Sequence, residues 1–253
     1  MAIQFSMQDG TLKLGRYAGA PIHLHMSFFF TAVLLTLPFW RFGARSLILV
    51  PLAIAIIFAS ILVHELAHAE VARRYRLPAT RIDIHMFGGL VQFPWLPHTR
   101  SQDFAITLAG PMSNLAIGVV ALGLFAIVPD AERQFIQLGN QYVPGPPMHG
   151  LLEQILRATA YLNLGLCVVN LIPAFPLDGG KLLHLVIEGR WNSNLATLIV
   201  SALGLVFACL STFVLIGTAL SGMPIWAPPE FGINWRAFQA ARQGRGGWDV
   251  YAY

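Results

Sequence analysis

The chain has 253 residues, of which 56% are hydrophobic and only 11% are charged, and its mean hydropathy is +0.62. Soluble domains carry charge on about a quarter of their residues, so this composition excludes an ordinary soluble protein and indicates an integral membrane protein. The net charge of +4 and the pI near 9.4 favour basic loops beside the membrane over nucleic-acid binding, because no basic run is interleaved with aromatic residues.

The N-terminal segment, residues 1–22, is short and polar and contains several glycines, which predicts a strand or arm on the membrane face. The first predicted span covers residues 25–42, with aromatic side chains at both ends, as in interfacial belts. His23 and His25 precede it. We interpret them as interfacial histidines; the alternative is an additional metal ligand.

The second predicted span, residues 46–72, contains His64-Glu65-Leu66-Ala67-His68 near its C-terminal end. On a helix, histidines four residues apart lie on one face, where both can bind a zinc ion. The glutamate between them can then act as a general base. Ionisable groups within a membrane are costly and therefore indicate a functional site. The alternative is a helix end whose polar side chains face the lipid headgroups.

Orientation follows from the positive charges that end this span. Arg73, Arg74 and Arg76 form the densest basic cluster of the chain, which predicts that this end is cytoplasmic. The N-terminus would then be cytoplasmic too, and the candidate active site would lie in the membrane near its cytoplasmic side.

Residues 82–96 alternate in polarity on either side of Gly88-Gly89, which predicts a β-hairpin. The edge of such a hairpin can pair with an extended peptide. His85 within it is interpreted as a surface strand residue rather than a spare ligand.

The third predicted span, residues 103–128, contains Gly110-Pro111 and Asn114. Glycine and proline inside a span permit close helix approach and a kink. A buried asparagine needs a partner, which is either a structural hydrogen bond to a neighbouring helix or a contact with the metal-site loop.

After a polar loop at 129–150, predicted to lie outside, the fourth span covers residues 151–172. It leads into a stretch from Asn170 to Gly180 that contains two prolines and therefore cannot be a regular helix. Asp178 in this stretch is either a helix N-cap or a metal ligand. Beside the histidine pair the ligand is favoured, because a catalytic zinc needs three protein ligands.

A short helix at 179–190, a last clear span at 194–221 and a tail with an amphipathic piece at 235–242 complete the chain. The predicted fold is an all-α polytopic membrane protein of five to six transmembrane helices. A short membrane-associated β-hairpin is predicted near the active site.

Three elements in this order resemble the site-2 proteases, a family of intramembrane zinc metalloproteases. They are the histidine-glutamate motif at 64–68, Gly110-Pro111 with Asn114, and the segment from Asn170 to Gly180. The hairpin glycines resemble the sporulation-type subgroup. No PDZ or CBS segment is recognised.

The resemblance implies a role for each matching residue. His64, His68 and Asp178 are expected to bind one zinc ion, and Glu65 to act as general base and then proton donor. Asn170 is expected to position the water or the scissile carbonyl. The residues predicted to contact or guide the substrate are Phe87, Gly88, Gly89 and Asn114.

The implied function is cleavage, within the cell membrane, of a peptide bond in or near the transmembrane segment of a membrane-anchored protein, for example to release a transcriptional regulator. The alternative is a zinc-binding membrane protein without peptidase activity, such as a metal carrier or pseudoprotease. The expected partners are that substrate and the lipid bilayer, without nucleic acid. Residues 1–222 would form the metalloprotease domain and residues 223–253 a tail, with an interfacial amphipathic segment.

Overall fold

A computed structural model describes residues 4–6, 10–37, 46–86, 88–95, 97, 99–127, 135–138, 141–144, 150–220 and 231–247. The helices are α1 (Ser27–Thr36), α2 (Ser46–Arg74), α3 (Arg100–Ile127), α4 (Leu151–Asn170), α5 (Asp178–Arg190), α6 (Ser193–Leu220) and α7 (Phe231–Arg242). The strands are β1 (Gln4–Ser6), β2 (Thr11–Tyr17), β3 (Ala20–His25), β4 (Arg81–His85), β5 (Gly88–Gln92), β6 (Phe135–Leu138) and β7 (Gln141–Pro144).

Three of the described helices are long and apolar enough to cross a membrane: Leu47–Arg74, Arg100–Ile127 and Ser193–Gly217. They coincide with the predicted second, third and last spans. Helix α4 has 20 residues and rises about 30 Å, but Glu153, Arg157 and Asn163 make its sequence less apolar.

Helix α1 has only 10 residues and rises about 15 Å, half the thickness of a bilayer core. Residues 38–42 of the predicted first span lie outside the described residues. The helical class is confirmed, whereas the total of five to six spans stays a prediction.

The sheet is larger than the predicted hairpin. Five strands lie in the order β1-β2-β3-β4-β5, and all neighbours are antiparallel except β3 and β4, which run parallel with Ile22 beside Ile82. The strand expected in the N-terminal arm and the hairpin at 82–94 are therefore both present, but joined in one sheet. Gly88 and Gly89 belong to β5 itself, opposite His85 and Ile84, and do not form the turn as the sequence pattern suggested.

This sheet lies against the end of α2 that carries the arginines. Ile82 packs with Ala69 in a buried cluster, one residue beyond His68. The hydroxyl of Tyr17 donates to Glu70 Oε2 at 2.8 Å, and Glu70 also pairs with Arg73 at 2.8 Å. The histidine motif is therefore held between the helices and the sheet.

The structure adds detail to two segments that the sequence predicted only as a polar loop and as an amphipathic piece of the tail. Strands β6 and β7 form a second hairpin within the segment expected to be a polar loop. Helix α7 covers the amphipathic piece of the tail and packs on α6. The division of the chain at residue 222 stays a prediction.

Candidate metal centre

Helix α2 brings two histidines and a glutamate into the protein interior. His64, Glu65 and His68 are 6%, 5% and 8% exposed. The two imidazole rings meet edge to face with centroids 4.7 Å apart, and their Nε2 atoms are 3.1 Å apart. Because side chains four residues apart lie on one helix face, both Nε2 atoms converge on a single point.

Asp178 reaches the same point from a distant part of the chain. It is the first residue of α5, and its Oδ2 lies 3.1 Å from His64 Nε2 and 3.5 Å from His68 Nε2. The N-cap position belongs to Leu177, so Asp178 is not the capping residue that the sequence left open. Its carboxylate faces the imidazoles, which favours the ligand interpretation.

These three side chains have the donor set and spacing of a zinc site. Two imidazole nitrogens and one carboxylate oxygen form a common three-ligand set for catalytic zinc, with bonds of about 2.0–2.2 Å. Ligand atoms at that distance around a tetrahedral ion lie about 3.3 Å apart, close to the separations of 3.1, 3.1 and 3.5 Å. Among the described residues this is the only cluster of histidine, cysteine or acidic groups with metal-ligand spacing.

The backbone of α3 orients one histidine ligand and leaves room for both imidazoles. His68 Nδ1 lies 2.7 Å from the carbonyl oxygen of Ile106, so Nδ1 carries the proton and donates while Nε2 keeps its lone pair for a metal. One turn later, Gly110 lies directly against the imidazoles. A Cβ atom at Gly110 would come within 2.3 Å of His68 Nε2 and 2.6 Å of His64 Nε2.

A glycine pair lets the segment that carries Asp178 fold tightly. A Cβ on Gly179 would lie 2.2 Å from the Leu171 carbonyl oxygen, and one on Gly180 would lie 2.6 Å from the Ala174 carbonyl carbon. The first turn of α5 therefore packs directly on the backbone of the preceding loop. This close approach fixes where Asp178 leaves the loop.

Glu65 lies against the sheet. A Cβ at Gly89 would be 2.2 Å from Glu65 Cγ and 2.4 Å from Oε1, so the Glu65 side chain occupies the space in front of this strand. The predicted hairpin glycine is thus next to the predicted general base. The sequence pattern indicated the glycines but not their partner.

The remaining predicted site residues are less closely tied to the centre. Asn114 is fully buried one turn after Gly110, and its amide atoms have no hydrogen-bond partner among the described residues. Asn170 is the last residue of α4 and is partly buried. Phe87 lies outside the described residues. The roles of these three residues stay predictions.

The other histidines near the sheet do not join the cluster. His25 Nε2 and His23 Nδ1 lie 3.1 and 3.5 Å from Asp83 Oδ1, which also accepts from Arg81 at 2.8 Å. Burial lowers the pKa of His23 and favours its neutral form. The ring of His85 contacts that of His25. These contacts agree with the interpretation of all three histidines as residues outside the metal centre.

Comparison with known proteins identifies several relatives. Residues 52–211 match the sequence model of peptidase family M50. A candidate zinc metalloprotease of Synechocystis sp. is 30% identical over 244 residues, covering 92% of this chain and 59% of that protein. A zinc metalloprotease of Methanocaldococcus jannaschii is 29% identical over 195 residues, covering 77% of this chain and 50% of that protein. The chain therefore spans between half and three fifths of these two relatives.

Two further comparisons agree. Stage IV sporulation protein FB of Bacillus subtilis is 29% identical over 127 residues, covering 50% of this chain and 37% of that protein. The solved structure of a site-2 protease from Methanocaldococcus jannaschii matches with a TM-score of 0.57 at 24% identity, covering 93% of this chain and 95% of that chain. The matched structure shares the fold of this chain, and the match to the family covers more than half of the sequence. The chain belongs to peptidase family M50, the site-2 protease family.

Proposed function

We propose that this protein is a zinc metalloendopeptidase that hydrolyses a peptide bond in or near the transmembrane segment of a membrane-anchored protein. The convergence of His64, His68 and Asp178 beside a buried Glu65 is the observation that carries this proposal. Family membership and the zinc metalloprotease names of its relatives support it. Regulated release of a membrane-anchored factor is the proposed biological setting.

The proposed chemistry assigns one task to each group. His64, His68 and Asp178 would hold the ion through Nε2, Nε2 and Oδ2, and bound zinc supplies Lewis acidity to the site. Glu65 takes a proton from the attacking water and later gives it to the leaving amine. Asn170 contributes an amide that orients the attacking water or the scissile carbonyl. Each task is a general acid–base, ligand or positioning role that the residue type can fulfil.

The proposed substrate path follows β5. Among the described strands, β5 pairs only with β4, so no described strand occupies its second edge. An extended peptide can add to such an edge through backbone hydrogen bonds. Because Gly89 in β5 lies against Glu65, a strand added there would bring its backbone near the general base. A transmembrane helix must unwind locally to bind in this way, since its carbonyls are otherwise hydrogen-bonded.

The proposed location is the cell membrane, with the N-terminus and the site end of α2 on the cytoplasmic side. Three apolar helices of sufficient length support a membrane protein. The arginines at the end of α2 support the orientation, because positive charge is enriched in cytoplasmic loops.

Replacing Gly89 by alanine is expected to lower the cleavage rate about 10²-fold without loss of zinc. The new methyl group would overlap the Glu65 side chain and displace its carboxylate, while the three ligand atoms lie elsewhere. Cleavage rate and zinc content should be measured together. Gly165→Ala is the matched control, since no atom lies within 4 Å of the Cβ it adds. Equal rates for both variants would contradict the proposed contact between β5 and the general base.

Metal removal tests the proposed function directly. The purified protein is reconstituted into vesicles with single-span reporters whose transmembrane segments contain helix-breaking glycine, proline or asparagine. Chelation is expected to stop cleavage, and added zinc to restore it in the wild type but not in His68→Ala. Mass spectrometry of the products should locate the new terminus in or near the span, on the cytoplasmic side.

Two outcomes would contradict this assignment. Full-rate cleavage by protein shown by elemental analysis to be metal-free would exclude zinc chemistry. Stoichiometric zinc that depends on His68, with no cleavage of any reporter, would instead favour a zinc-binding membrane protein without peptidase activity.

A further inference from the structure

The C-terminal helix makes a buried polar contact that the metal centre itself does not require. Asn234 of α7 is 0% exposed, and its Nδ2 donates to the carbonyl oxygen of Phe175 at 2.7 Å. Phe175 lies in the loop between α4 and α5, three residues before the ligand Asp178. A side chain from the far end of the chain is therefore bonded to the loop that delivers the third ligand.

A glycine in α6 makes this contact possible. A Cβ atom at Gly204 would lie 1.9 Å from Asn234 Oδ1 and 2.4 Å from Asn234 Cγ. The asparagine side chain thus fills the space that any other residue at position 204 would need. Asn234 passes over α6 at this point to reach the loop behind it.

A second contact fixes the tail along the same helix. The backbone N–H of Gly246 donates to Asn194 Oδ1 at 2.8 Å, near the start of α6. A Cβ on Gly246 would lie 2.7 Å from that oxygen and 2.9 Å from Asn194 Cα. The segment from α7 to Gly246 is therefore attached to α6 at two separate points, and Asn234 is held in register with Gly204.

The loop that receives this hydrogen bond is held by packing and by short-range backbone hydrogen bonds, such as those from the Ala174 N–H to the Ile172 carbonyl and from the Leu177 N–H to the Ala174 carbonyl. The Phe175 side chain is 3% exposed and lies in a buried cluster with Ile187, Ala196 and Val200, against which Ile233 of α7 also packs. Pro173 and Pro176 have no backbone N–H to donate. The backbone bonds join residues of the loop to one another and to the end of α4, whereas the bond from Asn234 to the Phe175 carbonyl connects the loop to α7.

We propose that Asn234 is a positioning residue for the metal centre: through Phe175 it holds the loop that presents Asp178 to the two imidazoles. This inference rests on the proposed zinc site. Removing a group that holds a metal ligand in its orientation commonly changes the metal affinity 10–100-fold. On this proposal the C-terminal helix works as part of the metalloprotease unit, and not only as a membrane-surface segment.

The test exploits two asparagines with opposite hydrogen-bond roles. Asn234→Asp preserves size but removes the donor, so a carboxylate oxygen would face the Phe175 carbonyl. Asn194→Asp preserves the acceptor that Gly246 uses. The zinc affinity of the 253-residue chain in detergent is measured by competition with a chromophoric chelator. We expect Asn234→Asp to bind zinc about 10–100-fold more weakly than the wild type, and Asn194→Asp to bind it within about twofold.

Two further measurements separate positioning from simple destabilisation. A merely structural role would lower the unfolding temperature of the zinc-free protein without changing the visible spectrum of cobalt bound to the folded protein. A positioning role changes that spectrum, because the carboxylate ligand moves. Gly204→Ala is the second variant, since it displaces Asn234 without altering the loop, and Gly217→Ala on the same helix is its control, with no atom within 4 Å of the added Cβ.

The outcomes also separate this inference from the proposed function. If the wild type binds zinc through His68 but Asn234→Asp and Gly204→Ala bind it equally well with an unchanged cobalt spectrum, this inference is wrong and the zinc site stands. If the wild type binds no zinc, the proposed function itself fails.

Discussion

Replacing Glu65 by glutamine is expected to lower kcat/KM about 10²–10⁴-fold while the zinc content stays at the wild-type level. The amide preserves the size of the side chain but cannot accept a proton from water. Glu65 supplies none of the three converging ligand atoms, which come from His64, His68 and Asp178. Loss of rate without loss of metal is therefore the signature of a general base.

Glu70→Gln is the matched control for this variant. It makes the same chemical change on the same helix, but Glu70 pairs with Arg73 and Arg74 and lies outside the metal cluster. A glutamine oxygen can still accept the hydrogen bond from the Tyr17 hydroxyl. Its cleavage rate should remain near that of the wild type. Wild-type turnover by Glu65→Gln would exclude Glu65 as the base, and loss of zinc from that variant would assign Glu65 a structural role instead.

A single methyl group at Gly110 is expected to weaken zinc binding about 10²-fold and to reduce cleavage in proportion. The alanine Cβ would lie 2.3 Å from His68 Nε2 and 2.6 Å from His64 Nε2, distances that non-bonded atoms do not tolerate. Either the imidazoles rotate away from each other or α3 moves outward. A shift of α3 would also stretch the bond from His68 Nδ1 to the Ile106 carbonyl.

Gly123→Ala provides the comparison on the same helix. No atom lies within 4 Å of its added Cβ, and alanine is favoured over glycine within helices by about 0.5–1 kcal/mol. This control should retain zinc and be slightly more stable. Chelator competition gives the affinities and thermal unfolding gives the stabilities. If Gly110→Ala kept wild-type affinity, the predicted steric conflict beside the ligand nitrogens would be wrong.

The sequence predicted the local parts of the centre well. Histidines four residues apart share a helix face whatever the rest of the chain does, so the positions of His64 and His68 follow from helix periodicity alone. The prolines around Phe175 excluded a regular helix before Asp178. The long apolar runs predicted α2, α3 and α6, because length and hydropathy directly reflect the thickness of a membrane core.

Contacts between segments that are distant along the chain could not be predicted from the sequence in the same way. The alternating pattern predicted a hairpin at 82–94 but not its pairing with the N-terminal strands, because β3 and β4 are separated along the chain by two helices. Gly88-Gly89 resembled a turn, whereas Gly89 is needed because Glu65 occupies the adjacent space. Asn234 lies in a tail with no recognisable motif, and its burial and its contact with Phe175 distinguish it from a surface polar residue.

The parallel pairing of Ile22 with Ile82 constrains the topology of the chain between β3 and β4. The two strands lie side by side, so the intervening chain must return to the side from which it departed, and any crossings within it are even in number. During translation β3 emerges first and must wait for β4, with its hydrogen-bonding edge open to other chains. Because α1 and α2 lie between the two strands along the chain, β3 can pair with β4 only after both helices have been synthesised.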